Sequence, residues 1–219
     1  MTDALHDDGA HDAQQNARVV IEFREPFIAI VRLNRPTERN ALSIATLESL
    51  ETIIDSLTAR ADVATIIFTG TDDAFASGAN IRELAALTPS LAQQFATRGQ
   101  RLFQRIADAS PLTIAAINGY CMGGGLDLAL ACDLRCASPN AVFAHPGARL
   151  GIITGWGGTQ RLPRLIGTAR ALELFVTARR LMSNEAYEIG LVNYIGESAL
   201  ERACEIAASS KVFDKKLKA

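Results

Sequence analysis

Twice in this sequence a β-branched run leads through a glycine-bearing turn into a stretch of helical character. Ile66-Ile67-Phe68 precedes Gly78-Ala79-Asn80, and Ile114-Ala115-Ala116-Ile117 precedes Gly123-Gly124-Gly125. A helix start behind a strand offers unpaired N–H groups and the positive end of the helix dipole, and glycine lets a bound group approach that backbone closely. One such turn is as readily plain helix capping; a pair of them restricts the chain to the α/β class and marks where backbone amides would face a ligand. The flanking patterns agree. Short β-branched runs predict strands over 19–23, 28–33, 65–69, 113–118, 134–137 and 142–144. Ser43 reads as the N-cap of a helix carrying Leu47, Leu50, Ile53, Ile54 and Leu57, and further helices are predicted over 91–109, 124–132, 168–178, 183–189 and 200–209.

Nothing in the composition divides the chain. Its 219 residues suffice for one substantial core, and no Pro-, Gly- or Ser-rich stretch splits them, so residues 18–219 are read as one domain. Residues 1–17, with Asp3, Asp7, Asp8 and Asp12 and no apolar segment, are expected to form a solvated, disordered tail rather than a secretory signal. A net charge of −2 gives no long-range field for nucleic acid or an anionic membrane, and no apolar run reaches the roughly 18 residues that a bilayer crossing needs. A cytoplasmic protein without nucleic-acid or membrane partners is expected. Cys121, Cys132, Cys136 and Cys204 lack the paired spacing of a zinc site and read as buried free thiols. His6 and His11 fall in the tail, leaving His145 as the histidine of the ordered domain, so no histidine-based metal site is expected.

The glycines must then be matched to a chemistry. No Gly-x-x-x-x-Gly-Lys-Ser/Thr phosphate loop occurs, and neither Gly123-Gly124-Gly125 nor Gly155-Trp156-Gly157-Gly158 fits Gly-x-Gly-x-x-Gly. A Gly-x-Ser-x-Gly nucleophile elbow is also absent. What does fit is a series of ordered segments: Leu33-Asn34-Arg35-Pro36 with Asn40-Ala41-Leu42, Phe68-Thr69-Gly70 leading to Phe75-Ala76-Ser77-Gly78-Ala79-Asn80-Ile81, and Ala116-Ile117-Asn118-Gly119-Tyr120 with the glycine triplet and Ala131-Cys132-Asp133. Gly155-Trp156-Gly157-Gly158-Thr159-Gln160-Arg161-Leu162-Pro163-Arg164 and Gly190-Leu191-Val192 follow. In that order, over roughly residues 19–206, these resemble the motifs of the crotonase (enoyl-CoA hydratase/isomerase) superfamily.

The resemblance implies a crotonase-like ββα spiral core with flanking helices, acting on an acyl-CoA thioester. Coenzyme A would be part of the substrate and no separate cofactor is expected. It places the backbone N–H groups of Ala79 and Gly124 on the thioester oxygen, where an enolate develops, and lays the CoA moiety along Ala79, Asn80 and Ile81. Family hydratases carry two glutamates; here the first position is Asp127 and the second is Gly147, which has no acid. Two acids let a hydratase activate water while protonating the α-carbon, so isomerisation of a 3-enoyl thioester is expected to outrun hydration. An acid in a first helical turn also stabilises the dipole without doing chemistry, which is the competing reading of Asp127. His145 and Arg149 bracket the missing glutamate and either bind a polar acyl group or are structural. Trp156 either lines the acyl pocket or sits in the core, and Glu38 and Glu83 read as loop or helix-start acids. Decarboxylation, thioester hydrolysis, or a non-catalytic acyl-CoA-binding subunit remain alternative functions. The family's trimer or hexamer implies a homo-oligomer, but the sequence ends soon after Gly190-Leu191-Val192. A shortened C-terminal lid is therefore expected, and with it altered assembly.

Overall fold

The two central strands of the large sheet, over 65–69 and 112–117, are buried along their whole length because both faces of the sheet are covered there. The computed structural model describes residues 17–24 and 27–209, and its elements alternate between two sheets. The larger holds β1 (Val19–Arg24), β2 (Ile28–Leu33), β3 (Thr65–Thr69), β5 (Leu112–Ile117), β7 (Leu134–Ala137) and β10 (Tyr194–Ile195), in the order β1-β2-β3-β5-β7-β10. The smaller holds β4 (Ala74–Ala76), β6 (Tyr120–Met122), β8 (Val142–Ala144) and β9 (Leu181–Met182), in the order β4-β6-β8-β9. From β2 to β7 the large sheet is parallel, and β1 pairs antiparallel with β2 in the register Val19↔Leu33 to Arg24↔Ile28. Each successive turn of chain adds one strand to the large sheet and the next to the small one: β3 then β4, β5 then β6, β7 then β8. That is the ββα spiral the resemblance implies.

Eight α-helices are described among these residues: α1 (Ile44–Thr58), α2 (Ile81–Ala85), α3 (Pro89–Ala107), α4 (Gly124–Ala131), α5 (Gly158–Ile166), α6 (Thr168–Thr177), α7 (Ser183–Glu188) and α8 (Ala199–Ser209). Ser43 does cap α1, its hydroxyl accepting from Thr46 N at 3.2 Å. In β3, Ile66 and Phe68 enter the main core with Leu47, Leu50, Leu102 and Leu126, while Ile67 joins Ile30 and Ile114 beneath α8. Ala199, Ala203 and Ala207 recur every fourth residue and give α8 a small-residue stripe that lies flat on the sheet. The helix predicted over 91–109 begins earlier, because Thr88 accepts from Leu91 N and Pro89 occupies the first turn, where its missing N–H costs nothing. The expected thiols are free, with Cys121, Cys132 and Cys136 buried and Cys204 half-buried. No helix among the described residues is long and apolar enough to cross a membrane. The expected N-terminal tail and the segment after residue 209 lie outside the described residues.

Candidate active site

The first glycine-bearing turn is held in place by the segment 34–42. Asn40 is buried, takes a positive φ of 53°, donates from Nδ2 to Ala74 O at 2.7 Å and accepts from Arg35 N at 2.8 Å. Ser77 N then donates to Arg39 O at 3.0 Å and Leu42 N to Gly78 O at 2.8 Å. Gly78 itself has φ +96°, which an L side chain rarely adopts, so the chain can turn there and present the Ala79 amide at the start of α2. Asn80 caps α2, its Oδ1 accepting from Arg82 N at 3.0 Å and Glu83 N at 3.4 Å, so its side chain is spent on the helix. Ile81 is 61 % exposed and lines the mouth of the cavity described below.

The second turn leaves β6 through Gly123, whose φ is +50° and whose N–H donates to Ala144 O at 2.9 Å, and enters α4 at Gly124. First-turn amides of a helix have no carbonyl within the helix to bond to. The two turns open on one small volume. A β-carbon on Gly124 would stand 3.4 Å from Ala79 N, and one on Gly78 would stand 3.0 Å from Gly124 N. The missing side chains therefore keep clear the space between the amides.

These amides border a cavity of about 270 Å³ whose walls include Leu84, Phe95, Ile153 and Trp156. Trp156 is part of the core and also lines the cavity. Its ring packs at 5.1 Å from that of Phe95 and 5.5 Å from that of Phe103. Gly99 and Gly124 leave room for the indole, since a β-carbon on either would collide with it.

Asp127 is fully buried in the first turn of α4 and stands behind this lining rather than in it. Its Oδ2 accepts from the Thr154 hydroxyl and from Trp156 N at 3.3 Å, both belonging to lining residues. Burial pushes its carboxyl up to about 6 despite those two donors and the charge of Arg161, which pull the other way. Gly158 makes this possible, because a β-carbon there would run into the carboxylate. Sequence spacing alone did not bring Thr154 into view: a lone threonine before Gly155-Trp156 carries no pattern. His145 lines the cavity next to Asp127, and Gly147 follows in a 3₁₀ turn over Pro146–Leu150. That turn folds back so that Ile152 N donates to Gly147 O at 3.0 Å, and a β-carbon on Gly147 would meet Ile152 O at 2.5 Å. Glu38 accepts at its backbone carbonyl from the Ser77 hydroxyl, and Glu83 reaches across to α1.

The remaining motif residues are scaffold. Asn118 accepts from Gly70 N at 3.1 Å and donates to Asp72 O at 3.0 Å, and Asp133 accepts from Thr113 N and its hydroxyl, both at 2.8 Å. Buried Arg135 donates to Leu191 O at 2.8 Å, which fastens the Gly190-Leu191-Val192 segment to β7.

Comparison with known proteins agrees with this fold. Residues 24–218 match the family model described as Enoyl-CoA hydratase/isomerase. The chain is 39% identical over 191 residues to a short-chain-enoyl-CoA hydratase of Clostridium acetobutylicum, covering 86% of this chain and 73% of that protein. It is 40% identical over 177 residues to a crotonyl-CoA hydratase of Syntrophomonas wolfei, covering 80% and 68%. The crystal structure of an enoyl-CoA hydratase from Bacillus anthracis superposes with a TM-score of 0.85 at 37% identity, covering 88% of this chain and 76% of that one. With the spiral, the paired amide turns and the ordered motifs all coinciding, the chain belongs to the enoyl-CoA hydratase/isomerase family.

Proposed function

We propose that the protein is an enzyme that converts an acyl-CoA thioester to its enolate, with hydration of a 2-enoyl thioester and 3-enoyl to 2-enoyl isomerisation as the reactions that pass through this intermediate. The reading is supported by one observation: the backbone nitrogens of Ala79 and Gly124 lie close to one another at the wall of an apolar cavity. Negative charge that develops on a thioester oxygen lodged there meets donors already in place, away from bulk water, and such a donor typically contributes about 3 to 4 kcal/mol to the transition state. Asp127 is the carboxylate that serves the reaction, acting behind Thr154 and Trp156. The CoA portion runs out past the backbone of 79–81, where Ile81 gives an apolar rim. The exposed apolar side chains of Leu172 and Val176, one turn apart on α6, support a homo-oligomer, which sedimentation at low protein concentration tests. The functional test is incubation with 2-enoyl- and 3-enoyl-CoA thioesters in D₂O, followed by mass spectrometry. Deuterium at the α-carbon together with hydrated or isomerised product is expected; a panel that returns every thioester unexchanged sinks the reading.

A further inference from the structure

The cavity wall holds one more group equipped for proton transfer. His145 is 3 % exposed and lines the cavity, and neither of its ring nitrogens has a hydrogen-bond partner among the described residues. Its Nε2 stands 3.7 Å from Asp127 Oδ1, which is likewise buried and lacks a hydrogen bond, whereas Oδ2 is taken by Thr154 and Trp156. The ring rests on Phe175 of α6 at 5.0 Å between centroids. Buried polar atoms are rarely left without a partner, and each exception calls for an explanation. The position that supplies an acid in family hydratases is shut here by the Ile152 carbonyl over Gly147.

We propose that His145 and Asp127 work as a pair, in which the imidazole of His145, oriented by the Asp127 carboxylate, exchanges protons with the acyl substrate. The proposal rests on the enolising reading above. Nε2 carries the ring proton and faces Oδ1; Nδ1 carries the lone pair. In hydration, Nδ1 takes a proton from water as the water oxygen bonds to C3, and the C2=C3 π pair moves into the enolate held by Ala79 and Gly124. Collapse of the enolate then draws that proton from the imidazolium to C2. One water is consumed, nothing is oxidised or reduced, and the ring ends as it began. Burial holds His145 down to about 4 and Asp127 up to about 6, so near pH 7 the pair is a neutral ring beside a carboxylate. The other titratable groups facing it are Arg161 of α5, whose charge favours the carboxylate, and Cys121 of β6, a thiol that burial keeps neutral. A neutral base next to an ionised carboxylate can accept a proton and have the resulting cation stabilised at once.

The test uses the full chain and crotonyl-CoA. His145→Gln is expected to lower kcat by about 10²- to 10⁴-fold with KM within about threefold, and to remove the rise in activity through about pH 6 that is expected of the wild type as Asp127 ionises. A wild type that turns over, with His145→Gln equally fast and equally pH-dependent, overturns the pair and leaves the family reading intact. A wild type inert to every thioester overturns both. Should His145→Gln fail to fold, ¹⁵N-imidazole NMR of a His6→Ala/His11→Ala protein decides on the native site. A neutral ring protonated at Nε2 at pH 7 is expected; a ring protonated at Nδ1 alone, or an imidazolium, overturns the proposal.

Discussion

The two walls of the cavity are built on different terms. One is backbone: Ala79 and Gly124 offer N–H groups whose direction is set by Gly78 at φ +96°, by Gly123 at φ +50° and by the Asn40 scaffold. The other is side chain: His145 and Thr154, with Asp127 behind them and Gly147 where no side chain fits. An amide is the same in every residue but proline, so the first wall needs only the right glycines. The second depends on which side chains happen to meet. The comparison teaches that a backbone wall constrains only the glycines that shape it, whereas a side-chain wall depends on which residues the fold brings together.

Deleting an amide is the largest perturbation of the first wall. Gly124→Pro does not isolate the effect, because any β-carbon at that position also collides with Trp156. Ala79→Pro removes the other N–H, and is expected to lower kcat by about 10²- to 10³-fold, the usual cost of one oxyanion donor. Steady-state kinetics on a protein shown to melt normally provides the check. Wild-type kcat in a folded Ala79→Pro protein would end the distinction between the walls.

The second wall is expected to show itself in stability as well as in rate. Asp127 has its pKa raised from 3.8 to about 6, so its contribution to stability is fully present below 3.8 and is lost as pH rises through about 6. His145 has its pKa lowered from 6.5 to about 4, so its contribution is present above 6.5 and is lost as pH falls through about 4. Between about pH 4 and 6 the two slopes oppose each other in the wild type. Asp127→Asn removes one of them, and the variant should gain on the wild type by about 3 kcal/mol between pH 4 and pH 7, the equivalent of a shift of about two pKa units. Melting curves at the two pH values measure this, and a difference that does not change with pH would mean that Asp127 is not the buried titrating group.

Restoring an acid at Gly147 is a third probe. If the second wall could simply revert, Gly147→Glu would raise hydration. The Ile152 carbonyl over that position makes the opposite outcome the expected one: a loss of about 1 to 3 kcal/mol of stability from overpacking and no gain in hydration of crotonyl-CoA. A stable Gly147→Glu protein with faster hydration would show that the 3₁₀ turn opens readily.

What the sequence disclosed follows the same division. The strands over 65–69 and 113–118 and the amide turns were legible because β-branched runs and glycine spacing are local signals, and they survive as β3, β5 and the starts of α2 and α4. β4, β6 and β9 were not, being two or three residues long and defined by partners distant in sequence. α5 was hidden by its opening glycine and by Pro163, both helix-disfavouring, although Leu162 and Ile166 are buried along one face. Asp127 was found by position in a motif. Its setting was not, because Thr154 lies 27 residues away and the proximity of His145 Nε2 to Oδ1 is a property of the fold alone. Side-chain constellations of this kind leave no periodic trace in sequence.

The smallest expected effect lies where the first wall meets the rest of the domain. Glu83, which reads from sequence as a helix-start acid, lies in the first turn of α2 and sends Oε2 to Ile44 N at 2.8 Å, so it satisfies an orphan amide at the start of α1. With the Leu42 N to Gly78 O bond at 2.8 Å, it ties the Ala79 turn to α1 at two points. Ser43 still caps α1 through Thr46 N when Glu83 is removed, so the helix keeps its other cap. Glu83→Ala should therefore cost about 1 kcal/mol, as loss of a cap usually does, and shift Tm by about 2 to 4 °C for a domain of this size. Since Glu83 is not among the residues lining the cavity, kcat should fall by no more than about threefold. Thermal melting and crotonyl-CoA kinetics on the same preparation separate the two effects. A loss of about a hundredfold in kcat at unchanged Tm would make Glu83 a participant in the chemistry, and the backbone wall would then depend on a side chain after all.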